Sequence, residues 1–164
     1  MYKKTPENIE LVPFDDVSFD IQMETRNWRN KADIARYFKI PAIDEETHRH
    51  WLASLRVDHP KSMAFFIQFD GVFVGVTYFH SISYTDKSAD FGIYIANVEN
   101  RNKGVGTIVL KKMIRYAADV MRFRRLFLDV LASNELAIAV YESCGFAPTG
   151  ENDGDFYRYV LELS

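Results

Sequence analysis

The sequence predicts an α/β (α+β) domain in which helices flank a mixed central β-sheet. Three observations carry that expectation. Met63-Ala-Phe-Phe-Ile-Gln-Phe69 and Val72-Phe-Val-Gly-Val-Thr-Tyr-Phe79 are runs of strand formers separated only by Asp70-Gly71, a hairpin signal and hence an antiparallel pair. An apolar segment, Asp90–Ala96, is followed by an amphipathic stretch from Thr107 to Met121 and then by a second apolar run, Leu126–Leu131. That strand–helix–strand order follows the logic of a parallel sheet. There is no repeat, low-complexity tract or linker, so residues 1–164 read as a single domain.

Taken in order, Ile9 to Val12 reads as a first edge strand and Asp15 to Asn30 as a polar, capped helix. Pro41 interrupts, and Asp44 to Arg56 resumes as a second helix with Trp51, Leu52 and Leu55 along one side. After the hairpin, Ser81 to Ser88 is a polar turn leading into the Asp90–Ala96 strand. Asn134 is a good N-cap for a helix beginning at Glu135, and Gly145 stands where that helix stops. Phe156 to Leu163 reads as a last strand after the Asn152-Asp-Gly154 turn.

The loop Arg101-Asn102-Lys103-Gly104-Val105-Gly106-Thr107 joins the Asp90–Ala96 strand to the long helix. Free N–H groups at a helix start, backed by the helix dipole, hold a phosphate or pyrophosphate. Gly104 and Gly106 let the backbone approach the anion closely, and Arg101 and Lys103 add mobile positive charge. Two familiar phosphate loops are absent. Val109 stands where a dinucleotide-binding loop has its third glycine, and no Gly-Lys-Ser/Thr follows. Tyr141 lies two turns into the helix that begins at Glu135, on a face that can look back toward the glycines.

Composition excludes several classes of function. A chain of 164 residues with 48% hydrophobic content can fill a sizeable core, and a net charge of −3 argues against a dedicated nucleic-acid binder. No segment approaches the length of a membrane span, and Met-Tyr-Lys-Lys-Thr-Pro lacks an apolar signal core. One cysteine cannot form an internal disulfide, so a reducing cytoplasm is the simplest home. Four histidines without repeated spacing offer no metal-site pattern. Cys144 has no histidine nearby in sequence and reads as a small core residue rather than a nucleophile.

These residues resemble the GNAT acetyltransferase superfamily. That family's signature Arg/Gln-x-x-Gly-x-Gly/Ala is matched by Arg101-x-x-Gly104-x-Gly106. Its second signature, an Asn, a Tyr seven residues on and then Gly-Phe, is matched by Asn134, Tyr141 and Gly145-Phe146. The resemblance runs from about Glu10 to the C-terminus and is strongest from Phe91 to Phe146, with Val98 in place of the family's frequent proline before the loop. It implies a sheet whose cofactor strands splay apart, acetyl-CoA as cosubstrate and no metal. It also implies direct attack by an amine on the thioester, without a covalent enzyme intermediate. Arg101, Asn102, Lys103, Gly104, Val105, Gly106 and Thr107 would hold the cofactor's phosphates. A backbone N–H near Ile95 or Ala96 would polarise the thioester carbonyl, and Asn134 would meet the pantetheine arm or a bound water. Tyr141 would be the general acid for the departing thiolate.

For the acceptor, Arg26 to Asn30, Tyr37-Phe38 and Ile43 to Leu52 gather an unusual density of polar and aromatic groups. Such a set suits a sugar or nucleobase, and equally suits a core edge with solvated charges. Arg-Asn, then Ile-x-x-x-x-His-x-x-aromatic, then Gly-Ile-Tyr resembles the PseH-type acetyltransferases of pseudaminic acid biosynthesis, which act on the 4-amino group of a UDP-linked amino sugar. That resemblance implies a nucleotide-linked small-molecule acceptor, with Arg26 and His48 on the diphosphate and Trp51 against the base or sugar. Asn27 and Tyr94 would complete the pocket, and Asp129, inside an otherwise apolar strand, would orient the amine or relay its proton. Acetyltransferases of protein N-termini, polyamines and aminoglycosides share parts of the pattern, and those acceptors stay open. So does a catalytically silent acyl-CoA-binding module. Dimers are common among similar enzymes.

Overall fold

The computed structural model describes residues 8–101 and 103–163. Seven strands form one sheet in the spatial order β1-β2-β3-β4-β5-β7-β6. They are β1 (Ile9–Pro13), β2 (Met63–Phe69), β3 (Val72–Ser83), β4 (Ser88–Ile95), β5 (Arg125–Leu131), β6 (Ala147–Asp153) and β7 (Phe156–Glu162). Only β4 and β5 run parallel; the other neighbouring pairs are antiparallel. The mixed sheet of the sequence expectation is thus present. Asp70 and Gly71 both take positive φ, +50° and +82°, the backbone that a tight hairpin between right-twisted strands demands.

Five helices flank the sheet: α1 (Phe19–Arg29), α2 (Ala32–Ala35), α3 (Glu45–Ser54), α4 (Val105–Asp119) and α5 (Glu135–Ser143). In α4, Val105, Val109, Met113 and Ala117 recur every fourth residue and are fully buried, while Lys111, Lys112 and Arg115 face solvent. This stripe packs with Phe79, Phe91, Leu126 and Leu128 into the larger core. Burying a side chain of this size contributes roughly 1.5–3 kcal/mol. A smaller core of Phe14, Leu52, Ala64, Phe66 and Val76 lies on the opposite face of the sheet, with Trp28 of α1, Trp51 of α3 and Leu55 just past the end of α3 against it.

Three departures from the sequence expectation have local causes. The helix expected over Asp15–Asn30 is a 3-10 turn, Phe14–Asp16, followed by α1, because Val17 is extended at φ −122° and ψ 147°. That break lets Phe14 stack on Phe66 at 4.2 Å, and Gln22 clamps it by donating to the carbonyls of Phe14 and Val17. β3 runs on to Ser83, so the turn before β4 is shorter than Ser81–Ser88, with Ser81 and Lys87 taking up the strain at φ +50° and +55°. β6 was not expected, since Pro148, Gly150 and Asp153 are poor strand formers. It is an edge strand with an irregular register between Pro148 and Asn152, where such residues are tolerated.

A bulge in β3 decides what the next strand presents. Ile67 pairs with Gly75 and Gln68 with Phe73, leaving Val74 as the extra residue. Val74 therefore joins the larger core, and Val76 the smaller one. The alternation then places Tyr78 and His80 on the α1–α3 face beside Val76. Gly75 is required at the bulge, because a Cβ there would sit 2.2 Å from the Tyr94 carbonyl oxygen.

Candidate active site

The central feature is a split between two neighbouring strands. β4 pairs with β5 only at Ser88–Asp90 against Arg125–Phe127, although β4 continues to Ile95 and β5 to Leu131. Beyond Asp90, β4 keeps its ladder to β3, and β5 keeps its ladder to β7. Antiparallel pairs alternate in the direction of their N–H groups. The Ala96 N–H donates to the Val74 carbonyl at 2.7 Å, so it belongs to the β3 side. Of the two positions expected to polarise a carbonyl, Ala96 is thereby committed elsewhere. By the same alternation the N–H groups of Phe91, Ile93 and Ile95 point into the split. The outward-facing Ile95 carbonyl is taken by Arg101, whose Nε and Nη2 donate to it at 3.2 and 3.0 Å.

The glycine loop sits at the mouth of this split. Gly104 caps α4 in the left-handed conformation, φ +81°, and the first intrahelical bond runs from Ile108 N–H to Gly104 O. The N–H groups of Val105, Gly106 and Thr107 therefore have no intrahelical acceptor, the arrangement that binds phosphate. A Cβ at Gly106 would meet nothing within 4 Å, so the space over the loop is open. Lys103 is exposed beside it. Arg101 is turned inward, with Nη1 paired to Asp33 at 3.0 Å, so its side chain fastens the loop to α2. Asn102 lies outside the described residues.

A cavity of about 210 Å³ runs from Gly104, Gly106 and Thr107 along Ile93 and Ile95 to Tyr141 on α5. A second, of about 250 Å³, opens on the other side of Tyr141 and extends past Asn134 to Tyr78, His80 and Asp129. The two share Phe91, Ile93 and Tyr141. Tyr141 is aimed by its edge contacts with Phe91 and Phe146, at 6.4 and 5.9 Å between ring centroids. Burial, reinforced by nearby Tyr78, pushes the Tyr141 hydroxyl well above the ordinary phenol value, so it is protonated at neutral pH. Asn134 caps α5 through Oδ1, which accepts from Ala137 N–H at 3.3 Å, and lines the second cavity as well.

A third cavity, of about 340 Å³, continues from the second through Arg29, Ile40, Tyr78 and His80, and ends at Trp51, His48 and Tyr94. The structure brings these last three together but gives each a second duty. His48 is buried with Nε2 3.1 Å from the Gln22 carbonyl and 3.3 Å from Thr25 Oγ1, and burial lowers its pKa, so the ring is neutral. The Tyr94 hydroxyl donates to Thr25 O at 3.2 Å. Trp51 packs edge-on against Phe14 and Tyr78. Arg26 and Asn27 are not among the residues of these cavities: Arg26 Nε donates to Ile43 O at 2.8 Å, and exposed Asn27 bonds Glu24.

Arg29, within the Arg26–Asn30 group that the sequence marks, lines these chambers together with Tyr78 and His80, which the sequence did not mark. Arg29 is only 8% exposed; its Nη2 donates to Ile40 O at 2.7 Å and its guanidinium lies 3.7 Å over the Phe38 ring. Its Nη1 has no hydrogen-bond partner among the described residues. Burial pulls the guanidinium below its usual value, against the opposing pull of the Tyr78 and Tyr94 phenols. Tyr78, pushed by burial to about 12, lies over Gly92, whose missing side chain makes room for the ring. Asp129 is not alone on its strand. Lys39 bonds it at 3.2 Å and Arg158 at 3.4 Å, and Arg158 also holds buried Asp90 through two bonds of 3.0 and 3.1 Å. Arg29 lies one helical turn from Arg26, and only the packing of α1 separates the two; no local signal marks His80, whose face is set by the β3 bulge.

Among the described residues no cluster of His, Cys, Asp and Glu could hold a metal ion, and no helix is long and apolar enough to cross a membrane. Comparison with known proteins agrees with the geometry. Residues 23–146 match the Acetyltransferase (GNAT) family. The chain is similar to the acetyltransferase PseH of Campylobacter jejuni, 34% identical over 84% of this chain and 83% of that one. It is also similar to the spermidine N(1)-acetyltransferase of Escherichia coli, 27% identical over 78% of this chain and 68% of that one. The crystal structure of Campylobacter jejuni PseH in complex with acetyl coenzyme A superposes with a TM-score of 0.72 at 28% identity, covering 96% of this chain and 100% of that one.

Proposed function

The chain belongs to the GNAT acetyltransferase family, and from that premise we propose that its acceptor is a nucleotide-linked amino sugar, acetylated on a primary amine. It is an acetyl-CoA-dependent N-acetyltransferase. Val105, Gly106 and Thr107 offer their N–H groups to the cofactor's phosphates, and the split between β4 and β5 takes the pantetheine arm. The N–H groups of Ile93 and Ile95 are the donors available to the thioester carbonyl, whose oxygen gains charge as the amine attacks. Tyr141 stands where the sulfur leaves and supplies its proton. Asp129 lines the acceptor side, where its carboxylate favours and orients the incoming amine.

One observation carries the choice of acceptor. The side chain of Arg29 lines both acceptor chambers and brings a guanidinium to their wall, its Nη1 buried and unpartnered among the described residues. A guanidinium on the wall of a half-buried chamber favours an anionic oxygen there and disfavours a second cation. The chamber continues to Trp51, whose indole suits a base or sugar face. A sugar with its amine at Tyr141, an anionic linker at Arg29 and a planar group toward Trp51 fits this order. A polyamine is the second reading, supported by the likeness to spermidine N(1)-acetyltransferase. It would need carboxylates along the chamber, whereas Asp129 is already shared between Lys39 and Arg158.

The test is CoA release from acetyl-CoA with a UDP-linked 4-amino-4,6-dideoxy sugar, spermidine, an aminoglycoside and a peptide with a free N-terminus. Turnover with the nucleotide sugar is expected, and Arg29→Met should raise that acceptor's KM about tenfold, equivalent to about 1.4 kcal/mol, with the acetyl-CoA KM unchanged. Turnover with spermidine and none with the nucleotide sugar would refute the acceptor assignment.

A further inference from the structure

His80 is the histidine common to both acceptor chambers, at the end of the β3 face that also carries Tyr78. Its Nδ1 lies 3.1 Å from Ser81 Oγ, which leaves Nε2 without a hydrogen-bond partner among the described residues. The carboxylates near His80 are engaged by cations: Asp129 by Lys39 and Arg158, Asp90 by both Nη atoms of Arg158. Their oxygens already accept hydrogen bonds from these cations, whereas Nε2 of His80 is not so engaged. We propose, building on the amine-acetylation reading, that His80 is the general base that removes the proton from the attacking nitrogen.

The step balances as follows. The lone pair of the neutral amine forms the C–N bond to the thioester carbon, and one N–H proton passes to Nε2 of His80. The C–S bond breaks with its electron pair on sulfur, which takes the Tyr141 hydroxyl proton. The His80 imidazolium then returns its proton, through solvent, to the Tyr141 phenolate, and both groups are reset.

The base must be unprotonated at working pH. Burial lowers the His80 pKa below its ordinary 6.5, Arg158 of β7 and Lys39 push it the same way, and Asp90 of β4 and Asp129 of β5 oppose them. Tyr78, 5.8 Å away ring to ring on the same strand, Arg29 of α1, Tyr37, Tyr141 of α5, His48 of α3 and Tyr94 of β4 are the other titratable groups of the two chambers. His80 is therefore neutral at pH 7, and its contribution falls away as the pH drops through a value below 6.5.

The measurement is the pH dependence of kcat at saturating substrates for the wild type, His80→Gln and Asp129→Asn. The wild type should lose turnover on the acid side with a slope of one. His80→Gln should lower kcat about 10²-fold and remove that limb, leaving the KM of acetyl-CoA within about twofold. Asp129→Asn deletes a carboxylate that raises the His80 pKa, so it should keep the limb and move it to lower pH. This second variant tests the assignment with His80 in place, should His80→Gln fold poorly. An acid limb that survives His80→Gln, or vanishes in Asp129→Asn, overturns the inference alone. A wild type inert toward every amine acceptor overturns the proposed function and this inference with it.

Discussion

Tyr141→Phe separates chemistry from stability more cleanly than any other substitution at this site. The Tyr141 hydroxyl makes no hydrogen bond to the protein among the described residues, and the ring is held by Phe91 and Phe146, contacts that phenylalanine keeps. Folding stability should therefore change by no more than about 0.5 kcal/mol, or about 2 °C in Tm for a domain of this size. General acid catalysis is typically worth about 10²–10⁴-fold. A thiolate, with a reference pKa near about 8.5, leaves with modest assistance, so the low end applies. The expected loss is about 10²-fold in kcat, close to 3 kcal/mol of barrier. The burial that keeps the hydroxyl protonated also predicts no alkaline limb assignable to Tyr141 below the ordinary phenol value near about 10. The assay is CoA release at saturating acetyl-CoA and acceptor, alongside calorimetric binding of CoA and thermal melts of both proteins. A variant with kcat within twofold of wild type, equally folded and equally able to bind CoA, would refute the role given to Tyr141.

Two further substitutions test the two sides of the split. Gly92→Ala places a Cβ 2.3 Å from the Tyr78 ring, which must move into the acceptor chambers. The overpacking should cost about 1–3 kcal/mol and raise the acceptor KM about tenfold while sparing that of acetyl-CoA, and equal KM values for both substrates would show that Tyr78 does not shape the acceptor path. Gly104→Ala forces a side chain into φ +81° at the start of α4, at about 1–2 kcal/mol, and should weaken CoA binding at least about tenfold by calorimetry. An unchanged CoA affinity would contradict the phosphate-loop assignment.

Much of this was legible in the chain itself. The hairpin at Asp70-Gly71, the α4 stripe, the Asn134 cap and the Gly145 stop are local events, set by backbone sterics and by side chains three or four residues apart. The glycine loop at the start of α4 was legible for the same reason: a helix N-terminus and its glycines are contiguous in sequence. The acceptor side was legible in part: His48, Trp51, Tyr94 and Asp129 line its chambers, whereas Arg26 and Asn27 do not. Arg26 and Arg29 sit one helical turn apart, yet Arg26 bonds the Ile43 carbonyl while Arg29 reaches the chambers. Their sequence environments do not differ enough to choose between them.

What the sequence by itself determined is the mixed class of the sheet, the hairpin and the glycine loop ahead of α4, because each follows from short-range geometry and hydrophobic period. What only the tertiary structure decided is which groups remain free to act. Ala96 is committed to Val74, Arg101 to Ile95 and Asp33, and Asp129 to Lys39 and Arg158, each by a partner distant in the chain or across the sheet. The extra residue at Val74 turned Tyr78 and His80 to the acceptor side. A polar group's chemistry is fixed by what satisfies it, and in a folded chain that partner comes from packing rather than from sequence neighbours.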